Sequence, residues 1–325
     1  MSTATSCAAA RSCAWRYGTT APSGSWCARA TPSPEVVQRK LKSHGRYPYS
    51  GITERKDYDW PDGKRLAVYI GFNIEHFEFG AGLGAALGPR NPEPDVLNFS
   101  WRDYGNRVGV WRCLELFEAL KLPVGAIINT ALYDYCPEVV DALVKRGDEL
   151  IAHGHTNSER QGEMAPDAER ALLIECRERI KKESGTAPLG WLSPWISESA
   201  VTPDLLAETG YKYTLNWAHD DQPIKFKTKM SGLWSIPYPQ ELNDIPMIIA
   251  RQMDARDFAD VIVDNFDEML AQAKAQPLVM GIALHPYIVG QPYRLRHLRR
   301  ALQHIANSSA VWFTTPGKIW EAVAK

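Results

Sequence analysis

The sequence predicts an α/β fold in which strands and helices alternate in one barrel-like domain. Apolar runs of strand length recur between stretches whose apolar residues follow helical spacing, and no linker divides the chain. The first run, residues 66–72, is almost continuously apolar and follows the turn residues Pro61-Asp62-Gly63. Such a run is typical of a strand buried on both faces of a parallel sheet. In such sheets chemistry collects at the carboxyl ends of the strands.

Proline and glycine mark the ends of several helical stretches, because proline is favoured in the first helical turn and glycine just past the last. Pro137 and Gly147 enclose one such stretch, and Gly185 follows another. The predicted helices cover residues 101–120, 137–147, 165–184, 202–210, 258–275 and 294–306, with a last one from Pro316. The predicted strands after the first cover residues 124–129, 149–153, 190–194 with its turn, 211–216, 233–237, 278–284 and 310–313.

A long loop rich in glycine and proline, residues 79–98, follows the first strand. Loops of this length inside compact domains are usually either functional or disordered. We interpret this one as a flap beside the functional site.

The overall composition excludes several classes of function. The 325 residues carry a formal net charge of -1, so no strong positive field favours nucleic acid or an acidic membrane surface. No apolar run reaches the length of a bilayer-spanning helix. The six cysteines follow neither a disulfide framework nor a zinc knuckle, which indicates a reducing compartment. We therefore expect a cytoplasmic protein with no nucleic-acid or membrane partner.

The N-terminal segment differs from the rest of the chain. Residues 1–34 are rich in Ala, Ser, Thr, Cys and Arg and contain no acidic residue, a composition that transit peptides share. The segment has no apolar stretch long enough for a secretory signal and little helical periodicity. We interpret residues 1–34 as a disordered extension, or as the product of a start codon assigned too far upstream, and residues 35–325 as a single domain.

Ionisable residues follow four of the predicted strands, so five of the eight histidines fall at one edge of the predicted sheet. In chain order these residues are Glu75, His76, His153, His155, His219, Asp220, Asp221 and His285. A carboxylate and several imidazoles around one opening suit general acid–base hydrolysis, because both groups titrate near neutrality when partly desolvated. The same groups serve as zinc ligands in metal-assisted hydrolysis. No nucleophile elbow or phosphate-binding glycine loop accompanies them.

The order of these motifs resembles the polysaccharide deacetylase superfamily (carbohydrate esterase family 4), whose fold is a distorted, incomplete β/α barrel. Asn73-Ile74-Glu75-His76 stands where that family has a Thr-Phe-Asp-Asp type motif. The resemblance implies that Glu75 is the general base and that His76 replaces a metal-binding Asp. His153 matches the first histidine of the family's metal-binding His-x-x-x-His motif, and Asn157 replaces the second.

Two further motifs complete the resemblance. Trp191-Leu192-Ser193-Pro194 stands at the family's arginine–proline motif without the arginine. Leu284-His285 keeps the last motif, which implies that His285 stabilises the intermediate and protonates the leaving nitrogen. The resemblance extends from Arg46 to the C-terminus and is closest to the bacterial allantoinase-like and cyclic-imide-hydrolase-like subgroup. The segments that carry it are Asn73-Ile74-Glu75, Asp220-Asp221-Gln222-Pro223, Ala283-Leu284-His285 and Val289-Gly290-Gln291-Pro292-Tyr293-Arg294.

The resemblance also bears on cofactors and assembly. Two of the three residues at metal-ligand positions have changed, and the allantoinases of this subgroup are described as needing no metal, so no cofactor is expected. If a single divalent metal such as zinc binds, the resemblance gives its ligands as His76, His153 and Asn157. Relatives in this subgroup tend to assemble into oligomers, which implies a homo-oligomer here.

The candidate site residues follow from the positions of ionisable groups at strand ends and from the resemblance. Glu75, His153 and His285 are the predicted catalytic residues. Predicted substrate contacts are His76, Asn157, Trp191, Trp217, Asp220 and Asp221. Asp220 and Asp221 also fit an ordinary Asx turn. Trp195 and Trp217 follow strand ends, where they either stack on a flat ring or pack beneath the loops.

The function that we predict is hydrolysis of a non-peptide carbon–nitrogen bond in a linear or cyclic amide, imide or ureide, with a small-molecule substrate. Glu75 activates water with assistance from histidine. One alternative is a metal-dependent N-deacetylase of an acetylated amino sugar or polysaccharide. Another is a catalytically inactive barrel that binds a ligand or partner.

Overall fold

Strands and helices alternate through the part of the chain that the structure, a computed structural model, describes: residues 41–80, 82–230 and 232–325. The predicted extension, residues 1–34, lies outside these ranges. The strands are β1 (Leu66–Ile74), β2 (Val124–Ile128), β3 (Glu149–Ala152), β4 (Gly190–Trp191), β5 (Tyr213–Thr214), β6 (Ile224–Lys225), β7 (Trp234–Ser235), β8 (Leu278–Leu284) and β9 (Val311–Thr314). The helices are α1 (Val96–Tyr104), α2 (Val110–Ala119), α3 (Leu132–Tyr135), α4 (Pro137–Arg146), α5 (Pro166–Ser184), α6 (Thr202–Glu208), α7 (Ala255–Gln272), α8 (Pro286–Val289), α9 (Pro292–Ala306) and α10 (Pro316–Val323). Within the described ranges, no helix has both the length and the apolar character needed to span a bilayer.

Strand β1 pairs with three other strands, and all nine of its residues are buried. One edge of β1 pairs with β8 from Leu66 to Phe72. The other edge pairs with β9 over Leu66–Tyr69 and then with β2 over Ile70–Ile74. A continuously apolar sequence suits this position, because both faces of the strand are covered.

The sheet curls without closing into a regular ring. Its strands run in the order β6-β7-β5-β4-β3-β2-β1-β8, with β9 beside β1. The pairings are parallel except that of β6 with β7. This is the distorted, incomplete β/α barrel that the resemblance predicts. Because parallel strands end at the same edge, the residues after β1, β3 and β8 come together there.

The two faces of β1 contribute to different apolar cores. Val68, Ile70 and Phe72 pack in the larger core with residues from the helices. Ala67 and Tyr69 belong to a second core that also contains residues of β2, β3 and β8. Alternate side chains of a strand point to opposite faces, so one apolar strand anchors both layers. Each fully buried large side chain of this kind contributes about 1.5–3 kcal/mol, which fixes the carboxyl end of β1 in place.

The prediction of one continuous α-helix over residues 101–120 is corrected by the structure. A π-helical turn, Gly105–Gly109, separates α1 from α2. A Cβ atom at Gly109 would lie 2.1 Å from the carbonyl oxygen of Pro286, so only glycine allows α8 to approach this closely. The predicted loop 79–98 is also shorter, because α1 begins at Val96 with Asp95 as its N-cap.

Candidate active site

Glu75 follows β1 directly and is almost completely buried, with 4% of its surface exposed. Its Oε1 accepts a hydrogen bond from Asn157 Nδ2 at 2.5 Å and lies 3.3 Å from His153 Nε2. Its Oε2 accepts a hydrogen bond from the Tyr287 hydroxyl at 3.1 Å. Asn106 Nδ2 donates to the backbone carbonyl of Glu75 at 2.8 Å. The carboxylate is therefore held in one orientation.

His285 follows β8 and reaches the same oxygen of Glu75. Its Nε2 lies 3.6 Å from Glu75 Oε1. Its Nδ1 lies 2.6 Å from Oδ1 of the buried Asp244, and its backbone N–H donates to Oδ2 of that residue at 2.8 Å. Nothing in the sequence marks Asp244 as a site residue, because it lies between β7 and α7 rather than at a predicted strand end. The side chains of Asp244, His285 and Glu75 therefore form a row of carboxylate, imidazole and carboxylate.

The charges in this row shift the pKa values of Glu75 and His285 in opposite directions. Burial alone would raise the pKa of Glu75, but the charge of His285 and hydrogen bonding to His153 lower it to about 2. Burial alone would lower the pKa of His285, whereas Asp244 and Glu75 raise it to about 10. Near neutral pH, Glu75 is therefore a carboxylate that can accept a proton and His285 an imidazolium that can donate one.

His153 and Asn157 are fixed by a second buried side chain, Asn129, at the end of β2. Asn129 Nδ2 donates to the backbone carbonyl of His153 and to Asn157 Oδ1, the latter at 3.2 Å. Its Oδ1 accepts from the backbone N–H of His76 at 2.8 Å. His153 Nδ1 lies 2.7 Å from the carbonyl oxygen of Leu192, which turns Nε2 toward Glu75. Asn129 thus joins the ends of three neighbouring strands around the carboxylate.

Glu75, His153, Asn157 and His285 line one cleft of about 570 Å³, a volume that includes its open mouth. The rest of the wall is mainly apolar or aromatic. It includes Phe77, Leu192, Trp195, Ile196, Tyr238 and Tyr287. Apolar walls with a few converging polar groups are typical of a small-molecule site.

Trp195 is a strained part of this wall. Trp195 and Ile196 both have positive φ, at 63° and 54°, although neither is glycine. The indole N–H of Trp195 donates to the backbone carbonyl of Asn157 at 2.9 Å, which holds the ring at the mouth of the cleft. Such strain is retained where the surrounding structure fixes it, and it accumulates at binding sites.

The two other tryptophans predicted as substrate contacts do not line the cleft. Trp191 is fully buried, and its indole N–H contacts Gln161 Oε1 and Ser193 Oγ, each at 3.0 Å. Consecutive residues of a strand face opposite sides, so Leu192 reaches the cleft and Trp191 the helix layer. Trp217 donates to Glu198 Oε2 at 2.8 Å and packs among aromatic rings.

Asp220 and Asp221 also lie away from the cleft, in the wall of a separate depression. Both oxygens of Asp220 accept from Arg55, at 2.7 and 2.6 Å. The backbone N–H of Gln222 donates to Asp220 Oδ1 at 3.0 Å, which is the Asx-turn alternative. These contacts give Asp220 a structural role, and the sequence prediction of substrate contact is corrected for both residues.

The residues that the resemblance gives as zinc ligands do not fit a zinc site. The His76 side chain lines a different cavity from that of His153. Asn157 turns its N–H group toward Glu75, because a carboxylate oxygen only accepts, and its Oδ1 already accepts from Asn129. Among the residues that the structure describes, no three His, Cys, Asp or Glu side chains are grouped to hold a metal ion.

The fold is that of a distorted, incomplete β/α barrel of the polysaccharide deacetylase type. No protein-family model matches the chain. A candidate polysaccharide deacetylase of Schizosaccharomyces pombe is 26% identical over 296 residues, which cover 81% of this chain and 91% of that protein. A peptidoglycan deacetylase of Helicobacter pylori is 24% identical over 289 residues, covering 79% of this chain and 95% of that protein.

A solved structure supports the resemblance to the allantoinase-like subgroup. The crystal structure of an allantoinase matches with a TM-score of 0.76 at 26% identity, over 85% of this chain and 97% of that chain. The comparisons confirm the similarity to the polysaccharide deacetylase superfamily, with an allantoinase among its structural neighbours.

Proposed function

We propose that this protein hydrolyses a non-peptide carbon–nitrogen bond in a small linear or cyclic amide, imide or ureide. The observation that carries the proposal is the pair formed by Glu75 and His285, whose reacting atoms lie 3.6 Å apart at the wall of one cleft. Opposite shifts of their pKa values keep one as a base and the other as an acid near neutral pH. The deacetylase relatives and the allantoinase neighbour, by their names, support a hydrolase of this general class.

The proposed reaction proceeds through a tetrahedral intermediate. Glu75 removes a proton from a water molecule, and the resulting hydroxide attacks the carbonyl carbon. In this step His153 carries a proton on Nε2 as well as on Nδ1, which donates to the Leu192 carbonyl oxygen, and its Nε2–H stabilises the negative charge that develops on the substrate carbonyl oxygen. The carbon–nitrogen bond then breaks as His285 Nε2 donates its proton to the nitrogen, which leaves as an amine or amide. Asn157 and Tyr287 hold the Glu75 carboxylate during these steps.

The shape of the cleft supports a flat, small substrate. Trp195, Tyr238 and Phe77 present aromatic surface around the reacting groups, and such surface packs well on planar imide or ureide rings. The names of the two curated relatives favour the alternative, an N-deacetylase of an acetylated amino sugar or polysaccharide. An inactive binding barrel is the third candidate, and the buried Glu75–His285 pair disfavours it.

A substrate panel tests the proposal. Hydantoins, cyclic imides, ureides and N-acetylated amino sugars are incubated with the purified protein, and the new carboxylate or released amine is quantified. We expect turnover of at least one imide or ureide. Acetate release from amino sugars alone would establish the deacetylase alternative, and no turnover of any compound would favour the binding barrel.

Metal analysis separates the first two candidates. Because the donor groups around Glu75 do not fit zinc, we expect protein purified without added metal to contain far less than one equivalent of zinc. Activity should persist after dialysis against a chelator. The resemblance to the deacetylases supports the zinc alternative, and stoichiometric zinc whose removal abolishes turnover would establish it.

A further inference from the structure

Two side-chain amides in the cleft keep hydrogen-bonding groups that no neighbouring residue uses. Gln240 and Asn243 line the cleft together with Glu75 and His285. The side-chain amide of Gln240 makes no hydrogen bond with any residue that the structure describes. Asn243 is buried, with 5% of its surface exposed, and its Oδ1 accepts from the backbone N–H of Ile245 at 3.1 Å. Its Nδ2 donates to none of the described residues, so both amides are available to a ligand.

The free group of Asn243 is a donor. Only the oxygen of its amide can accept the Ile245 N–H, because the amide nitrogen carries hydrogens and only donates. This hydrogen bond fixes which branch of the side chain is Oδ1 and leaves Nδ2 on the other branch. Nδ2 has no partner and is not fully enclosed by protein. Because the cleft is the open space that Asn243 lines, we expect its N–H groups to point there.

Asn243 is placed beside His285 by the segment that also supplies Asp244. Its backbone pairs with Ala283 of β8, two residues before His285. Asp244, the next residue, contacts the imidazole of His285 at 2.6 Å. The backbone N–H of Asn243 reaches the carbonyl oxygen of Gln240 at 3.4 Å, so the chain turns between the two amides. The segment therefore holds both amides in one cleft with the imidazole that donates a proton in the proposed reaction.

The other polar side chains of the cleft are already engaged. Asn157 and Tyr287 donate to the two oxygens of Glu75. Asn73 and Tyr238 are hydrogen-bonded to each other. The two imidazoles contact the Glu75 carboxylate and are assigned to the bond that breaks. Within the described part of the chain, the two amides are therefore the unpaired polar groups that this cleft offers to the rest of a substrate.

The chemistry of the two amides indicates what they bind. A cyclic imide or a hydantoin carries a carbonyl group on each side of one N–H group. Attack on one carbonyl leaves the second carbonyl and the N–H to be recognised, which need one donor and one acceptor. Asn243 offers the donor, and the side chain of Gln240 offers an acceptor. A sugar ring brings several hydroxyl groups, more than two amides satisfy, and a simple amide lacks the second carbonyl.

We propose that Asn243 and Gln240 determine specificity for substrates in which two carbonyl groups flank the nitrogen that leaves. Asn243 Nδ2 donates to the carbonyl oxygen that is not attacked, and the side-chain oxygen of Gln240 accepts from the N–H between the two carbonyls. The proposal rests on the hydrolase function proposed above and narrows it to imides and ureides of this kind.

Three small rings test the two contacts separately. Succinimide has both carbonyls and the N–H, γ-butyrolactam lacks the second carbonyl, and N-methylsuccinimide lacks the N–H. Calorimetry gives their dissociation constants for Glu75→Gln, in which turnover should be lost so that the ligands stay intact. We expect succinimide to bind about 10-fold more tightly than either analogue, because each analogue leaves one polar group of the cleft without its partner.

Each further substitution should remove one preference and keep the other. Added to Glu75→Gln, Asn243→Ser keeps an oxygen for the Ile245 N–H but loses the donor, so the preference over γ-butyrolactam should fall to about 2-fold or less. Gln240→Leu loses the acceptor at similar size, so the preference over N-methylsuccinimide should fall in the same way. Gln303→Leu changes an exposed glutamine of α9 and should keep both preferences. A purely structural role would weaken the binding of all three rings alike.

Several outcomes would overturn the proposal. Succinimide would fail to bind, or would bind no better than its analogues, or both preferences would survive both substitutions. Tighter binding of N-acetylglucosamine than of succinimide, lost in both variants, would show that the amides recognise sugar hydroxyl groups instead.

Turnover by the wild type separates the subsite from the hydrolase function. Hydrolysis of succinimide or a hydantoin, while neither substitution changes the preferences, would keep the function and overturn the subsite. If the wild type hydrolyses no compound of the panel but the preferences change as expected, the hydrolase function fails and the two amides remain a binding site for imides.

Discussion

Replacing Glu75 by glutamine is expected to lower kcat by about 1,000-fold or more, because the reaction loses the group that removes a proton from water. Glutamine has nearly the same shape, so the fold should persist. It cannot accept the proton, and it removes the negative charge that His285 faces at 3.6 Å. The measurement is kcat on a substrate found in the panel, with the thermal unfolding midpoint recorded beside it.

Glu163→Gln is the matched control for this prediction. Glu163 is exposed, and its contact with Arg160 is long, at 3.7 Å. The control also replaces one carboxylate by an amide, and it should retain the activity of the wild type because Glu163 lies on the surface. If Glu75→Gln kept more than a tenth of that activity, Glu75 would not be the base.

Replacing Asp244 by asparagine is expected to lower kcat at pH 8 by about 100-fold and to move the alkaline limit of activity downward. Asp244 contacts His285 at 2.6 Å and raises the pKa of its imidazole, which the reaction uses in the protonated form. In the wild type, activity should therefore fall as pH rises through about 10. Without the carboxylate, the fall should occur at lower pH. The full pH dependence of kcat provides the test.

The pH dependence of kcat in Asp244→Asn shows whether Asp244 acts on the protonation of His285 or only on the packing of the site. A merely structural loss would reduce kcat equally at every pH and leave the alkaline limit near 10.

The pH dependence of the free energy of unfolding gives an independent check, because it also reports the protonation of His285. Because the folded pKa of His285 is raised, its stabilising contribution is fully present below the ordinary histidine pKa and is lost as pH rises through about 10. The wild type should lose this stability at alkaline pH, and Asp244→Asn should show much less of the effect.

The sequence was sufficient to predict strand β1 and the meeting of three ionisable side chains at the carboxyl ends of the strands. A continuously apolar run is stable only when both faces are covered, so residues 66–72 had to form an interior strand. Parallel strands end at one edge, so Glu75, His153 and His285 were expected to meet there. The structure brings these three side chains together around one carboxylate oxygen. Their catalytic roles remain predictions until the variants are measured.

Other parts of the site depend on contacts that no local pattern reveals. Asp244 lies 41 residues before His285, and nothing in its neighbourhood marks it as the partner of that imidazole. Trp191 was predicted as a substrate contact from its place in the motif that matches the family's arginine–proline motif, and Trp217 from its place after a strand end. In the two-residue strand β4, however, the facing of the strand decides that Leu192 and not Trp191 reaches the cleft. Likewise, glycine is required in the turn at 105–109 because α8, which is distant in sequence, packs directly against it.

Apolar periodicity and strand direction are local properties of the chain, so the longer strands and the ionisable groups that follow them could be predicted from the amino-acid sequence. Which of those groups share a cavity becomes visible in the folded arrangement. That outcome depends on strand register and on loops packing across the barrel mouth. These long-range contacts give His285 its carboxylate partner, Asp244.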